Sequence, residues 1–219
     1  MARSSGRPLP PPLPPERRTV GQLVAESIRL YGRRFWPSLA IGVPPAALSI
    51  GVAGLSRAVG LVVFVIVGGI VLTASYIGAV AIAHAPPLDR RRVLTALAAG
   101  LLVFAPFSVL VFLYVLPGLA WLALCGLAVP AALVEGVGLR DALARGVRLG
   151  RADYVHALGG LCTLAIVVVA SLFLTAVALQ NFADNTARAA GFIAGAVVSP
   201  LLFLGAAILY EDQRARLAK

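Results

Sequence analysis

The sequence predicts an all-α membrane protein with six transmembrane helices arranged as three hairpins, plus two cytoplasmic-side interfacial amphipathic helices. Hydrophobic residues make up 60% of the 219 positions and charged residues only 13%, about half the charged fraction of a soluble domain. The apolar residues cluster in runs of roughly 20, the length that a helix needs to cross a hydrocarbon core. The basic residues stand at the ends of those runs, where they set topology and contact anionic lipid.

Six apolar runs are predicted as spans. They cover Phe35–Leu55, Val59–Ala83, Val93–Leu116, Leu119–Val134, Tyr154–Leu179 and Ala189–Tyr210. The third and fourth runs form one stretch that is too long for a single crossing, and Pro117-Gly118 is the predicted turn within it. The fourth run is short, at about 24 Å of helix. It therefore either borrows Gly136–Val137 or thins the bilayer locally, and a re-entrant hairpin is the alternative.

Two further segments, Thr19–Arg34 and Gly138–Arg151, have their charges on one helical face. Thr19 and Gln22 have the spacing of a capping box at the start of the first helix. The predicted apolar arc of the first helix holds Val20, Leu23, Val24, Ile28, Leu30 and Tyr31. That of the second holds Leu139, Ala142, Leu143, Gly146, Val147, Leu149 and Gly150. Both patterns predict a helix in the headgroup layer, with its apolar face toward the acyl chains.

The residues before the first helix, Met1–Arg18, are rich in proline and arginine. We expect them to form a tail that is disordered or adopts polyproline II, followed by a membrane domain over residues 19–219. The tail is interpreted as a basic segment near lipid; a ligand for a proline-recognising domain is the less favoured alternative. Because Pro8–Pro15 replaces the apolar core of a signal peptide, the segment is not predicted to be one.

The distribution of basic residues predicts the orientation. With the N-terminus in the cytoplasm, 17 of the 19 Lys and Arg residues fall on the cytoplasmic side, and only Arg57 and Arg188 fall outside. Cytoplasmic segments carry such an excess of basic residues. The sequence therefore predicts a multi-pass protein of the bacterial plasma membrane with both termini in the cytoplasm.

A weak internal repeat relates the two amphipathic segments. At an offset of 119 residues, Val20 falls on Leu139, Val24 on Leu143, Ile28 on Val147, Arg29 on Arg148 and Leu30 on Leu149. Each copy is an interfacial helix followed by a hairpin of two spans that ends in a cluster of acidic residues and arginines. Since amphipathic helices resemble one another for physical reasons alone, convergence is the alternative to a true repeat.

The candidate functional residues are structural or lipid-facing, and they surround the fourth span. They are Pro117, Gly118, Glu135, Arg140, Arg145, Arg148 and Arg151. We expect Glu135 to face the N-terminus of the following helix or to pair with Arg140. A proton or ligand site is the alternative, and it is less favoured because no second ionisable group lies deep in the membrane. Asp141 and Arg145 are predicted to pair on the wet face.

Composition and motifs exclude several other functions. The net charge is +10, but no aromatic residues are interleaved with the arginines to stack bases, so we expect lipid rather than nucleic acid as the partner. Cys125 and Cys162 lie inside apolar runs and are interpreted as small hydrophobes. No GxSxG, HExxH, P-loop or GxGxxG motif occurs in a usable context. We therefore expect no enzyme activity, no metal and no cofactor, and we expect hydroxyls within spans to bond to their own helix.

A series of short motifs resembles a known family. The motifs are Leu116-Pro117-Gly118, Val129-Pro130, Glu135-Gly136, Asp141-Ala142-Leu143, Arg145, Arg148-Leu149, Ser199-Pro200, Leu209-Tyr210-Glu211-Asp212 and Arg214. In this order they resemble the membrane domain of bacterial glycerophosphoryl diester phosphodiesterases and related stand-alone six-span bacterial membrane proteins of unknown function. The resemblance implies a multi-pass bacterial plasma-membrane protein. It does not imply phosphodiesterase activity, which belongs to a separate soluble barrel.

These observations together favour a non-enzymatic membrane protein, an accessory or scaffold in envelope or lipid metabolism. The alternative is a small transporter or lipid-handling protein that uses its proline-containing spans. Pro44, Pro45, Pro106, Pro130 and Pro200 lie within the predicted spans, where prolines either break helices around a cavity or produce kinks that neighbouring helices repair. Membrane lipids, anionic ones above all, are the expected partners, and a protein partner or homo-oligomer is left open.

Overall fold

The computed structural model describes residues 14–218, which form helices and, within that range, no strand. The helices are α1 (Val20–Arg33), α2 (Phe35–Ala53), α3 (Arg57–His84), α4 (Arg90–Leu113), α5 (Val115–Cys125), α6 (Ala128–Pro130), α7 (Leu139–Ala152), α8 (Tyr154–Ala178), α9 (Asp184–Val198) and α10 (Pro200–Leu217). A 3-10 turn covers Pro15–Arg17, and a π-helix over Ala131–Glu135 follows α6. Six spans are long and apolar enough to cross a membrane, which confirms the predicted all-α six-span fold.

Two of the spans are interrupted, each next to a proline. The fourth span consists of α5, α6 and the π-helix, and the sixth consists of α9 and α10. Pro130 and Pro200 lack the N–H that would bond to the carbonyl four residues earlier, and their rings crowd that carbonyl. The helices therefore break just before these prolines, at Gly126–Leu127 and at Ser199. In contrast, α4 continues through Pro106 as one helix.

The turn between the third and fourth spans lies at Tyr114, so its prediction at Pro117-Gly118 is wrong. Tyr114 has an extended backbone between α4 and α5, whereas Pro117 lies in the first turn of α5. Proline is tolerated there because the first N–H groups of a helix have no partner within the helix. Gly118 has a packing role, since a Cβ atom at this position would lie 2.9 Å from Val111 Cγ2 of α4.

The fourth span is long enough to cross a membrane, and it forms a hairpin with α4. Starting at Val115, it is 21 residues long and does not need Gly136–Val137. Its far end returns to the start of α4, where Arg92 Nη1 donates to the Leu133 carbonyl at 3.4 Å and to the Val134 carbonyl at 3.2 Å. This length favours a full crossing over the re-entrant alternative.

Aromatic side chains fill the centre of the bundle between α3, α4 and α10. Tyr76 is 1% exposed and packs edge-on against Phe104, which packs edge-on against Phe107. The Tyr76 hydroxyl donates to the Ala206 carbonyl of α10 at 3.3 Å. This contact satisfies a buried polar group, which would otherwise destabilise the core.

The two predicted interfacial helices, α1 and α7, have the same length of 14 residues. Their first and last residues differ by the offset of 119 that relates the sequences, and so do the first residues of α2 and α8. The capping box at Thr19 and Gln22 is confirmed. The surroundings of the two helices differ, because α1 packs on α8 and α10 whereas α7 packs on α5 and α10.

The apolar faces of α1 and α7 contact protein more than was predicted. On α1, Leu23 is fully buried but Ile28 is 52% exposed, so the predicted apolar arc is divided between the bundle and its outer surface. On α7, Ala142 and Leu149 are fully buried against neighbouring helices. The prediction that this face points into the acyl chains is therefore wrong for the buried part of α7. Helical periodicity identifies an apolar face but does not say whether lipid or protein covers it.

Both ends of the described chain differ from the prediction. Most of the predicted tail, residues 1–13, lies outside the described residues. Of the remainder, Pro15–Arg17 forms one 3-10 turn, and Arg18 is held by an ion pair. At the other end, α10 continues to Leu217 and does not end at Tyr210, so the acidic and basic residues 211–216 lie on helical turns of this span.

Candidate functional site: a charged end of the bundle

Polar and ionisable side chains meet at one end of the bundle, which we call the charged end. They come from five α-helices, the π-helix, the junction between α7 and α8 and the segment before α1. Its members are Arg18, His84, Arg92, Glu135, Arg145, Asp153, His156, Tyr210, Glu211, Asp212, Gln213 and Arg216. Most of them contact partners distant in sequence, so the charged end fastens the spans together. Isolated ionisable groups at this depth would be costly, whereas pairs and networks satisfy one another.

Glu135 joins three elements at the centre of the charged end. Its Oε1 atom accepts a hydrogen bond from the Tyr210 hydroxyl at 2.7 Å and another from Arg145 Nε at 3.3 Å. The prediction that Glu135 pairs with Arg140 is wrong, and so is the predicted Asp141–Arg145 pair, since Arg145 turns to Glu135. The Glu135 side chain is 19% exposed, so the pair is only partly screened by solvent.

The π-helix places Glu135 in this position. The five residues of the π-helix form hydrogen bonds to the fifth residue along, which widens the end of the fourth span, and such segments are frequent at functional sites. The turn ends at Gly136, whose φ of +69° is left-handed and therefore favours glycine. A side chain at this position would also meet the Arg92 guanidinium, which caps the carbonyls at the end of the span. The backbone conformation thus explains why a glycine follows Glu135.

Asp212 is fully buried and holds the segment before α1 against α10. Its Oδ1 atom accepts a hydrogen bond from Arg18 Nη1 at 2.7 Å, and its Oδ2 atom lies 3.7 Å from His156 Nε2 of α8. Arg216 Nη2 donates to the Arg18 carbonyl at 2.8 Å, which adds a second tie. A buried carboxylate is stable only when such cations surround it.

The junction between α7 and α8 is held by α10. The Asp153 carboxylate caps α8 by accepting from the His156 N–H at 3.0 Å, and it also accepts from Arg216 Nη1 at 2.6 Å. Gln213 completes the contact: its amide oxygen accepts from the Asp153 N–H at 3.0 Å, and its Nε2 donates to the Asp153 carbonyl at 2.9 Å. These contacts hold the junction between α7 and α8 against α10.

His84, at the end of α3, faces two acceptors on α10. Its Nδ1 atom lies 3.1 Å from Glu211 Oε1, and its Nε2 atom lies 2.9 Å from the Ala207 carbonyl. The ring therefore joins the end of α3 to α10. The ring also packs edge-on against Tyr210 at 5.7 Å, which connects it to the Glu135 cluster.

The outer face of α7 carries three exposed arginines: Arg140, Arg148 and Arg151. Among the described residues, no carboxylate lies within ion-pair distance of them. The inner face of α7 is held firmly, because a Cβ atom at Gly146 would lie 2.5 Å from the Ala128 backbone nitrogen. α7 therefore presents a fixed cationic surface at the end of the spans.

The remaining polar groups within the spans are hydroxyls. Thr73, Thr163, Ser171 and Thr175 each donate to the carbonyl four residues earlier, as predicted. Ser75 and Ser108 are buried and have no hydrogen-bond partner among the described residues, so the prediction is wrong for these two. Cys125 and Cys162 are free thiols.

An apolar groove lies between α5 and α8, toward the end of the bundle opposite the charged end. It has a volume of about 500 Å³. Its lining includes Val115, Leu116, Leu119, Ile166, Val169 and Phe173. Ile166 and Phe173 are each 66% exposed, so the groove is open along the outside of the bundle. Pro117 and Gly118 lie between the lining residues Leu116 and Leu119, so they are next to this groove and not at the charged end.

Within residues 14–218, no group of three or more His, Cys, Asp and Glu side chains is placed to hold a metal ion. The contacts observed at the charged end are ion pairs and hydrogen bonds between its own residues. Sequence reasoning identified Glu135 and the α7 arginines but missed Arg18, Arg92 and Asp212. Their one signal is that each stands at an end of an apolar run or of the first amphipathic helix.

Comparisons with protein-family models, with curated proteins and with solved structures found no match to this chain. The resemblance to the phosphodiesterase membrane domain therefore stays a prediction. The chain's fold and its charged end carry the functional argument.

Proposed function

We propose that this chain is a non-enzymatic protein of a bacterial plasma membrane that binds anionic lipid headgroups at its charged end. In this role it acts as an accessory or scaffold in envelope or lipid metabolism. The observation that carries the proposal is the outer face of α7, where Arg140, Arg148 and Arg151 are exposed with no carboxylate partner among the described residues. The six spans establish a multi-pass membrane protein, and α7 lies where those spans end.

The physical argument for lipid is the position and rigidity of the arginines. Each basic residue near an anionic leaflet contributes about 1 kcal/mol of attraction. Because the other face of α7 packs against α5 and α10, little freedom is lost when the arginines meet lipid phosphates. The excess of basic residues at this end supports a cytoplasmic orientation for it and for both termini.

Lipid retention during purification tests the proposal. We expect the Arg140→Gln/Arg148→Gln/Arg151→Gln variant to co-purify with several-fold less phosphatidylglycerol than the unmodified protein, as counted by mass spectrometry of extracted lipid. The Arg57→Gln/Arg188→Gln variant removes basic residues from the opposite end and should retain the full amount. Equal retention by the α7 variant and the unmodified protein would contradict the proposal.

A lipid-handling protein is the second candidate, and the groove between α5 and α8 favours it. The groove is wide enough for apolar chains and opens along the outside of the bundle. A fluorescent phospholipid in proteoliposomes distinguishes the two functions. The accessory role predicts no transfer of the lipid between leaflets beyond that of protein-free vesicles, whereas lipid handling predicts accelerated transfer that Val169→Trp, which fills the groove, abolishes.

A further inference from the structure

A second polar feature of the charged end, separate from the α7 arginines, is a cleft between α1, α3 and α10. Its volume is about 210 Å³. The polar lining residues are Arg18, Glu26, Arg33, His84 and Glu211, and the apolar ones are Leu30, Ala83 and Ile208. α1 forms one wall of the cleft, while the ends of α3 and α10 form the other.

Each wall carries both signs of charge. On α1, Glu26 pairs with Arg33 at 3.4 Å. The opposite wall carries Glu211 of α10 and Arg18, which Asp212 holds against α10. A simple anion in this cleft would meet a carboxylate on either wall. A ligand with one negative and one positive group instead finds a partner for each of its charges on both walls.

The cleft residues differ in how firmly they are held, which suits exchange with a ligand. The Arg33 side chain is 69% exposed, so its pairing with Glu26 contributes little and is readily replaced. Arg18 and His84 are 14% and 7% exposed, and each is held in place by an acidic residue of α10. Arg18 is thus held in place, while Arg33 can exchange Glu26 for a ligand, and the two together provide a preorganised site for a phosphate.

We propose that this cleft binds the headgroup of an amine-bearing phospholipid, phosphatidylethanolamine. Arg18 and Arg33 contact the phosphate, and Glu26 and Glu211 contact the ammonium group. The position at the end of the spans and the three apolar lining residues favour a lipid over a free phosphoamine. This site uses none of the α7 arginines, so its binding of lipid can be tested separately from that of the α7 surface.

Binding measurements on the full chain in detergent test the proposal. The chain carries Arg140→Gln/Arg148→Gln/Arg151→Gln, which removes the proposed phosphatidylglycerol site on α7. Phosphatidylethanolamine and phosphatidylglycerol of equal chain length are titrated, and bound lipid is counted by native mass spectrometry. We expect the amine lipid to bind this cleft about tenfold more tightly, as one added charge-assisted contact would give. Glu26→Gln should remove the preference, and Arg33→Gln should weaken the binding of the amine lipid.

The matched control is Arg57→Gln at the opposite end of the bundle, which should leave the preference for the amine lipid unchanged. Thermal melting of each variant shows whether it is folded, and Glu26 and Arg33 form a surface pair whose loss leaves the bundle intact. Equal binding of both lipids by the chain without the α7 arginines would overturn the proposal, as would a preference that persists in Glu26→Gln. Displacement of the lipid by an equal concentration of O-phosphoethanolamine would assign the cleft to a free phosphoamine and overturn the lipid assignment.

Discussion

Glu135 shows how a single carboxylate joins three parts of the molecule. It ends the fourth span, accepts from Arg145 on α7 and accepts from Tyr210 on α10. A hydrogen bond to a charged acceptor contributes more than one between neutral groups, by roughly a factor of two. The charged end therefore depends on Tyr210 as well as on its charged residues.

Removal of the Tyr210 hydroxyl measures this contribution. We expect Tyr210→Phe to lower the free energy of unfolding by about 1.5–3 kcal/mol, because the Glu135 carboxylate loses its shortest hydrogen bond. The measurement is unfolding in mixed detergent micelles. Tyr154→Phe is the control, since its hydroxyl donates to a neutral carbonyl at 3.2 Å and should contribute about 1 kcal/mol. If Tyr210→Phe costs no more than the control, Glu135 does not have this role.

The sequence could single out Glu135 but not its partners. Helical periodicity places Arg140 and Arg145 on one face of α7, yet it gives no distance to residues on another helix. Arg145 lies five residues farther along, on the side of α7 that faces the end of the fourth span, and it forms the pair. Tyr210 is 75 residues away, so only the packing of the sixth span beside the fourth brings it into contact.

At the scale of elements, α7 is placed by glycines as much as by its apolar residues. A Cβ atom at Gly146 would approach the Ala128 backbone, and one at Gly150 would lie 2.5 Å from the Leu124 carbonyl oxygen. Close backbone approach of this kind is the usual reason for glycines at helix contacts in membranes. The amphipathic pattern predicted the helix and its exposed arginines, but it assigned the covered face to lipid.

Gly146→Ala tests how closely α7 is packed. The added methyl group meets backbone atoms that cannot rotate away, so α7 must shift, and we expect a loss of about 1–3 kcal/mol in the free energy of unfolding. Gly32→Ala on α1 is the matched control, because a Cβ atom there has nothing within 4 Å. Alanine is the better helix former by about 0.5–1 kcal/mol, so the control should be neutral or stabilising. A neutral Gly146→Ala would contradict the close packing.

At the scale of the whole molecule, hydropathy and arginine placement were sufficient to predict six helices that span a membrane. The boundaries of the first five spans followed within about four residues, since an apolar run must be as long as the bilayer is thick, whereas the sixth span extends beyond its prediction at both ends. Helix breaks at Pro130 and Pro200 were one of two alternatives, and the turn at Tyr114 was not predicted. Proline has several tolerated positions in a helix, and its effect depends on whether a neighbour occupies the place of its missing hydrogen bond.

The orientation of the whole molecule is the last prediction, and single cysteines test it. In a variant without Cys125 and Cys162, cysteines at Arg91, Ala144 and Ala218 should be shielded from an impermeant thiol reagent in intact cells. Cysteines at Ser56, Tyr114 and Asn185 should react. All six native side chains are exposed, so differences in labelling report the side of the membrane rather than burial. Membrane permeabilisation should make the first set reactive. The reverse pattern would place the charged end outside the cell, against the excess of arginines at that end.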